Sequence, residues 1–266
     1  MPQPPFYRTL GMPFIELSSI DSTNNYALTQ IHEGLARHGM AFFAHEQVAG
    51  KGQRNKSWTT EKETSLIISI VLDPSPLQLA QQFQLSACVA ASACEFLDKY
   101  DGRKTCIKWP NDLYWHDRKA GGILIENVIG SGKTGTNGIP VWRWAVVGVG
   151  ININQVAFPP ELRNPISLKQ LTGKEFNTVE LAKEFCTVFN KNFQHLVQGG
   201  FADIYNFYIE HLYQKNRLVK LKKGSRVFEA TIKTVTPGGR LVVQHALEEE
   251  FDFGSVEWVI PSLSAK

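Results

Sequence analysis

Eight consecutive residues, Ser65–Leu72, carry six apolar side chains and no charge, and four of the six are β-branched. Such a run reads as a buried β-strand, which commits the chain to a sheet with a covered core. Ala41-Phe42-Phe43-Ala44 reads as a second buried strand and Phe14-Ile15-Glu16-Leu17 as a short one. Residues 25–34 read as a helix, for which Asp21-Ser22-Thr23-Asn24 supply N-cap oxygens. Residues 77–99, with apolar positions at helical spacing behind Pro74 and Pro76, predict a long helix, and 179–196 another that 204–212 continue. Short strands are expected at 106–109 and 122–126. The latter and 141–148 flank a Gly-rich tip, 130–138, as in a hairpin. After Lys215 the texture changes to short strands at 218–221, 227–232, 241–244 and 258–260, punctuated by Gly224, Pro237-Gly238-Gly239 and Gly254-Ser255. The expected architecture is α+β over 1–214, with a small all-β barrel over 215–266.

Composition narrows the class. The chain has 266 residues, 43% hydrophobic and 20% charged, enough for a sizeable core and too apolar for disorder. Its 28 basic and 25 acidic residues leave a net charge of +3, which gives no reason to expect a nucleic-acid binder. Residues 1–214 are balanced at 19 of each sign, so the whole excess lies beyond them, 9 basic against 6 acidic. Cys88, Cys94, Cys106 and Cys186 show no paired spacing and the seven histidines no ligand motif, so free thiols in a reducing compartment are expected and a structural zinc site is not. No signal-peptide pattern precedes Phe14 and no run approaches the ~20 apolar residues that cross a bilayer. A soluble, cytoplasmic protein with no membrane partner is expected. Gly132-Lys133-Thr134 is no phosphate-binding P-loop, because the glycine that motif requires at position 127 is Asn127, and the segment leads into Pro140 and a strand.

Four segments place polar groups beside strand ends. In Gly50-Lys51-Gly52-Gln53-Arg54-Asn55-Lys56-Ser57-Trp58, three cations and two glycines suit an anionic ligand, and Trp58 could stack on a flat ring; a solvated loop accounts for the same composition. Lys108-Trp109-Pro110-Asn111-Asp112 could direct Asn111 and Asp112 at a metal–phosphate group, or form a plain turn. Arg118-Lys119-Ala120-Gly121-Gly122 fixes a lysine at a strand start with space beside it. Gly148-Val149-Gly150-Ile151-Asn152-Ile153-Asn154 has glycines where a ligand approaches a strand closely, or where a core strand bulges.

The order and spacing of these segments, from Ser22-Thr23-Asn24 to Asn152, resemble the biotin protein ligases over residues 15–154, most specifically in Lys-Trp-Pro-Asn-Asp followed by Arg-Lys-x-x-Gly-Ile-Leu. The resemblance implies a class II synthetase-like mixed sheet flanked by helices, with a C-terminal SH3-like barrel. It implies joining of biotin to ATP as biotinyl-5′-adenylate, release of pyrophosphate, and transfer of biotin to a lysine of a biotin carboxyl carrier domain. Carried over by motif position, Lys119 bridges the biotin carboxylate and the α-phosphate, with Arg54 as a second catalytic cation. Ser22, Thr23, Asn24 and Gln47 face the ureido ring, and Gly50, Lys51, Gln53 and Gly122 complete the biotin side. Arg54, Lys56, Trp58, Asn111, Asp112 and Asn152 serve ATP and the adenylate. Mg²⁺ enters through substrate phosphates, with Asp112 the residue able to reach it, and no dedicated metal cage is implied. Family members often pair through a sheet edge, for which strand 141–154 is the candidate here.

One departure stands out. The family's loop usually reads Gly-Arg-Gly-Arg-Arg-Gly-Arg, whereas here Lys51, Gln53, Asn55 and Lys56 replace four of its positions. Lysine keeps the charge without the guanidinium fork, and Gln53 loses both, so weaker retention of the adenylate is expected. The 50–58 loop is also expected to be mobile until ligand orders it. Lipoate or octanoate ligases share the acyl-adenylate logic, but Ser22-Thr23-Asn24 with Gln47 favours a urea. An idle biotin sensor or repressor is the other rival. Regulatory members carry an N-terminal helix-turn-helix of some sixty residues, for which a first motif at Ser22 leaves no room, so no repressor activity is expected.

Overall fold

The computed structural model describes residues 9–102, 104–131, 140–162 and 164–259. The chain runs β1 (Phe14–Leu17), α1 (Thr23–His32), β2 (Ala41–Ala44), β3 (Ser65–Leu72), α2 (Gln82–Asp101), β4 (Thr105–Lys108), β5 (Asp112–Trp115), β6 (Arg118–Ser131) and β7 (Pro140–Asn152). It continues through α3 (Leu168–Thr172), α4 (Thr178–Val197) and α5 (Phe201–Glu210) to β8 (Leu218–Lys223), β9 (Arg226–Val235), β10 (Leu241–Gln244), β11 (Glu248–Phe251) and β12 (Glu257–Trp258). The first seven strands form one mixed sheet, β1-β2-β3-β7-β6-β5-β4, in which only β1 and β2 pair in parallel. The last five form an antiparallel sheet, β11-β10-β9-β8-β12. The expected division after residue 214 falls in the turn between α5 and β8.

Pleat alternation decides which face of the large sheet becomes the core. Leu66, Ile68, Ile70 and Leu72 of β3, with Ala145, Val147, Val149 and Ile151 of β7, pack into the main apolar cluster with α2 and α4. The opposite face meets α1 through Ala27, Phe42, Val71 and Val146. That second face changes character toward one end. Ser69, Gly148 and Gly150 share it, as do Gly122, Leu124 and Glu126, which lie in register opposite Gly150, Gly148 and Val146. Small and polar residues thus open a trough beside α1 where a β-branched residue would have closed it.

Several expectations shift. The first helix begins at Thr23, two residues early, which leaves Ser22 as N-cap with no hydrogen bond from its side chain to the helix. The 122–126 and 141–148 strands are longer and pair from Gly121–Ile151 to Ser131–Pro140; most of the Gly-rich tip, 132–138, lies outside the described residues. Strand β7 is not the sheet edge expected of 141–154. Hydrogen bonding to β3 over 145–152 and to β6 on its other side makes it an interior strand. The C-terminal strands form an open ribbon among the described residues, with β11 and β12 at its two edges.

Candidate active site

The trough is built from four pieces that converge on the α1 face of the sheet. The first is the start of α1. Thr23 N donates to Gln47 Oε1 at 2.7 Å and Thr23 Oγ1 lies 3.1 Å from the same oxygen. Behind it, Ser69 Oγ lies 2.7 Å from Thr23 Oγ1 and 2.6 Å from Asn24 Oδ1, while Asn24 Nδ2 donates to Glu126 Oε2 at 2.7 Å. Asn24 is 3% exposed. It is seated where β7 carries glycine, because a Cβ on Gly148 would stand 2.3 Å from its Oδ1.

The 50–58 loop is the second piece. It folds back on itself through an antiparallel bridge between Lys51 and Ser57, with Gly52 N donating to Lys56 O at 2.6 Å and Trp58 N to Gly50 O at 2.8 Å. Trp58 lies across Gly150, where a Cβ would come within 2.8 Å of the indole. Its Nε1 is buried with no hydrogen-bond partner among the described residues, which leaves that donor for a ligand. Lys51 Nζ reaches Asn25 Oδ1 at the start of α1, and Gln53 Nε2 lies 3.5 Å from Ile123 O.

β5 and β6 supply the charged piece. Asp112 pairs in register with Gly122, and Lys119 Nζ crosses to Asp112 Oδ1 at 2.6 Å. The same ammonium sits 5.8 Å from the centre of the Trp58 ring. Lys108 Nζ lies 3.6 Å from Asp112 Oδ2, so one carboxylate holds two lysines. Burial pushes the Lys108 ammonium below the usual lysine range; Asp112 opposes that shift, while Lys119 and Lys56 add to it. Asn111 Nδ2 donates to Ile123 O and Ile123 N to Asn111 O, at 3.0 Å, which fixes the turn to the strand beside it.

The last piece comes from the C-terminal sheet. Trp109 is buried and its Nε1 donates to Gly239 O at 2.9 Å. Phe253 meets the Trp109 ring edge-on at 6.3 Å, and Lys108 lies 5.6 Å from the Trp258 ring.

Residues 22–24, Gln47, Gly50, Trp58, Asp112, Lys119 and Gly122 therefore meet on one face. Two expected residues are engaged within the chain. Arg54 has left-handed backbone (φ 57°) and rests its guanidinium 5.5 Å from the Phe253 ring, against Gly254. Asn152 is buried, and its amide donates to Ile166 O at 3.1 Å and toward Lys119 O at 3.4 Å. It thereby anchors the main chain of Lys119, its amide spent on these two carbonyls. Sequence reasoning missed Ser69, Glu126, Phe253 and Trp258. The strand alternation of Ser65–Leu72 held one clue, a hydroxyl at Ser69 in the middle of the apolar run. Among the described residues no group of three or more His, Cys, Asp and Glu side chains could hold a metal ion, and no helix is long and apolar enough to cross a membrane.

Residues 16–144 match the Biotin/lipoate A/B protein ligase family. That segment is just under half of the chain. Over 199 residues, 73% of the chain, it is 29% identical to the bifunctional ligase/repressor BirA of Bacillus spizizenii, and the match spans 58% of that relative's length. It is 28% identical over 235 residues to a biotin–acetyl-CoA-carboxylase ligase of Paracoccus denitrificans, covering 86% of the chain and 92% of the relative. The fold is that of the Aquifex aeolicus biotin protein ligase, solved with biotin and ATP, at a TM-score of 0.74 and 23% identity over 91% of this chain and 97% of that one.

Proposed function

We propose that the chain is an ATP-dependent biotin protein ligase that activates biotin as biotinyl-5′-AMP and transfers it to a lysine of a carboxylase's biotin carrier domain. The observation that carries this reading is the placement of Lys119, with its ammonium on Asp112, beside Trp58, at the mouth of a trough whose other end is lined by the Ser22, Thr23 and Gln47 polar groups. Activation joins two anions. A biotin carboxylate oxygen bonds to the α-phosphorus, the bond from that phosphorus to the bridging oxygen breaks, and pyrophosphate leaves with the electron pair. Positive charge where the anions meet lowers that barrier, and Lys119 and Lys108 supply it, with Asp112 orienting both. Trp58 offers a face for adenine and a free N–H. Ser22, Thr23 and Gln47 meet the uncharged ureido ring. In the second step the acceptor's lysine amine, as its free base, attacks the acyl carbon, an amide forms and AMP leaves.

Mg²⁺ fits this donor set as an ion carried in on phosphate oxygens, since one carboxylate, Asp112, lies beside the lysines. When bound, it would neutralise phosphate charge.

The test is ATP–pyrophosphate exchange with biotin and lipoate compared side by side, followed by transfer to a carrier domain. Exchange with biotin, and none with lipoate, is expected. Exchange with lipoate alone would move the chain to the lipoate branch of its family, and none with either acid would make it a binding protein.

A further inference from the structure

The trough contains a hydrogen-bond chain that runs from Thr23 through Ser69 and Asn24 to the half-buried Glu126 carboxylate. Glu126 Oε2 and the Leu124 carbonyl both accept, at 2.7 and 3.4 Å, from one end of the Asn24 side chain. Two acceptors on that end require it to be the NH₂ group, so the amide oxygen must face Ser69. Asn24 Oδ1 has no hydrogen, and the 2.6 Å contact to Ser69 Oγ can only be a bond that Ser69 donates. The single Ser69 hydrogen is then spent. The 2.7 Å contact between Ser69 and Thr23 hydroxyls must take its hydrogen from Thr23, unless that hydrogen turns to Gln47 Oε1 at 3.1 Å. Either way it stays inside the protein, and Thr23 can offer a ligand only lone pairs. Gln47 is fixed as well. Its Oε1 accepts from Thr23 N, which turns Nε2 toward Gly50, where a Cβ would stand 2.8 Å away.

We infer that Glu126, acting through Asn24 and Ser69, is a positioning residue that fixes the polarity of the pocket: Thr23 as acceptor and Gln47 as donor. Ser69 is fully buried, and Asn24 and Thr23 nearly so, so no water competes to randomise the directions. This rests on the biotin reading and sharpens it. A cyclic urea presents N–H donors beside a carbonyl acceptor, which matches the fixed pattern. A ring with oxygen in place of one ureido N–H sets acceptor against acceptor at Thr23, and a site built to bond an N–H rejects the analogue that lacks it.

Binding of biotin and of the two carbamate analogues, each with oxygen replacing one ureido N–H, should be measured for the intact protein and for Ser69→Ala and Glu126→Gln. The intact protein is expected to disfavour one carbamate isomer by about a hundredfold. In Ser69→Ala, where the Thr23 hydrogen keeps only the longer 3.1 Å contact to Gln47 Oε1 and can turn to a ligand acceptor instead, that ratio should fall below about tenfold, with the KM for ATP unchanged. Glu126→Gln leaves Ser69 in place and should reduce the ratio less. Any rearranged pocket can weaken biotin binding, but only a change in polarity moves the ratio. If Ser69→Ala stays folded, binds biotin and keeps the full ratio, the inference fails while the biotin reading stands. If the intact protein binds no biotin, the reading itself fails.

Discussion

Lys108 is a buried cation held by a half-buried carboxylate that it shares with Lys119. Burial disfavours its charged form, as do the neighbouring Lys119 and Lys56 ammoniums. The folded protein therefore gives up this proton at a lower pH than an ordinary lysine would. If the ammonium stabilises the meeting of carboxylate and phosphate, adenylation is fully supported at lower pH and declines as pH rises through that depressed value. The alkaline limb of the exchange rate should accordingly begin below the usual lysine range. Lys108→Arg, whose guanidinium stays charged throughout, should move the limb upward even where it lowers the maximum. A limb at the same pH in both proteins would show that Lys108 does not carry it.

Among the elements, the 50–58 loop shows how far local sequence reaches. Its cations and glycines were legible as an anion-binding segment, and its closure onto itself follows from bonds between near neighbours, Gly52 to Lys56 and Trp58 to Gly50. What it packs on was not legible. Arg54 rests on Phe253 of the C-terminal sheet, about two hundred residues away in sequence. The same holds for the polar chain behind the trough, where Ser69 meets Asn24 across 45 residues and Asn24 meets Glu126 across 102. Strand β3 and the β6–β7 hairpin were readable because their patterns are local. Strand β11 was not, because Glu248-Glu249-Glu250 looks like a solvated loop and becomes a strand only as a charged sheet edge, paired with Lys223 and Arg240. With Arg54 turned to the C-terminal sheet and Gln53 uncharged, the loop has no guanidinium over the trough. Gln53→Arg would restore one next to Ile123 and slow release of the adenylate by about tenfold, roughly one charge-assisted hydrogen bond. Rapid dilution of the preformed intermediate measures this, and an unaltered release rate would remove the loop from any role in retention.

At the scale of the whole molecule, the two sheets meet at the motif that carries the charge. Trp109 lies between Lys108 and Asp112 in sequence, and its indole N–H bonds to Gly239 in the β9–β10 turn, while Phe253 meets its ring and Trp258 lies against Lys108. A second tie, from the Tyr205 hydroxyl to the Val235 carbonyl, comes from α5 and involves no residue of that motif. If the C-terminal sheet served only to stabilise the fold, breaking either tie would lower the melting temperature and leave chemistry alone. If it also positions the lysine–carboxylate group, the two ties differ. Trp109→Phe removes the donor to the Gly239 carbonyl and part of a fully buried ring, a loss of about 1–3 kcal/mol, or about 3–10 °C in a chain of this size. It should also slow exchange at saturating substrates, because Lys108 and Asp112 share its turn. Tyr205→Phe also removes a donor, from the Val235 carbonyl, but keeps the rest of its ring in place, so it should lower the melting temperature by less, about 0.5–1.5 kcal/mol for the hydrogen bond alone, and leave the exchange rate within about twofold. Equal effects of the two variants on exchange would reduce the C-terminal sheet to a structural prop; a split between them makes it part of the apparatus that holds the charge in place.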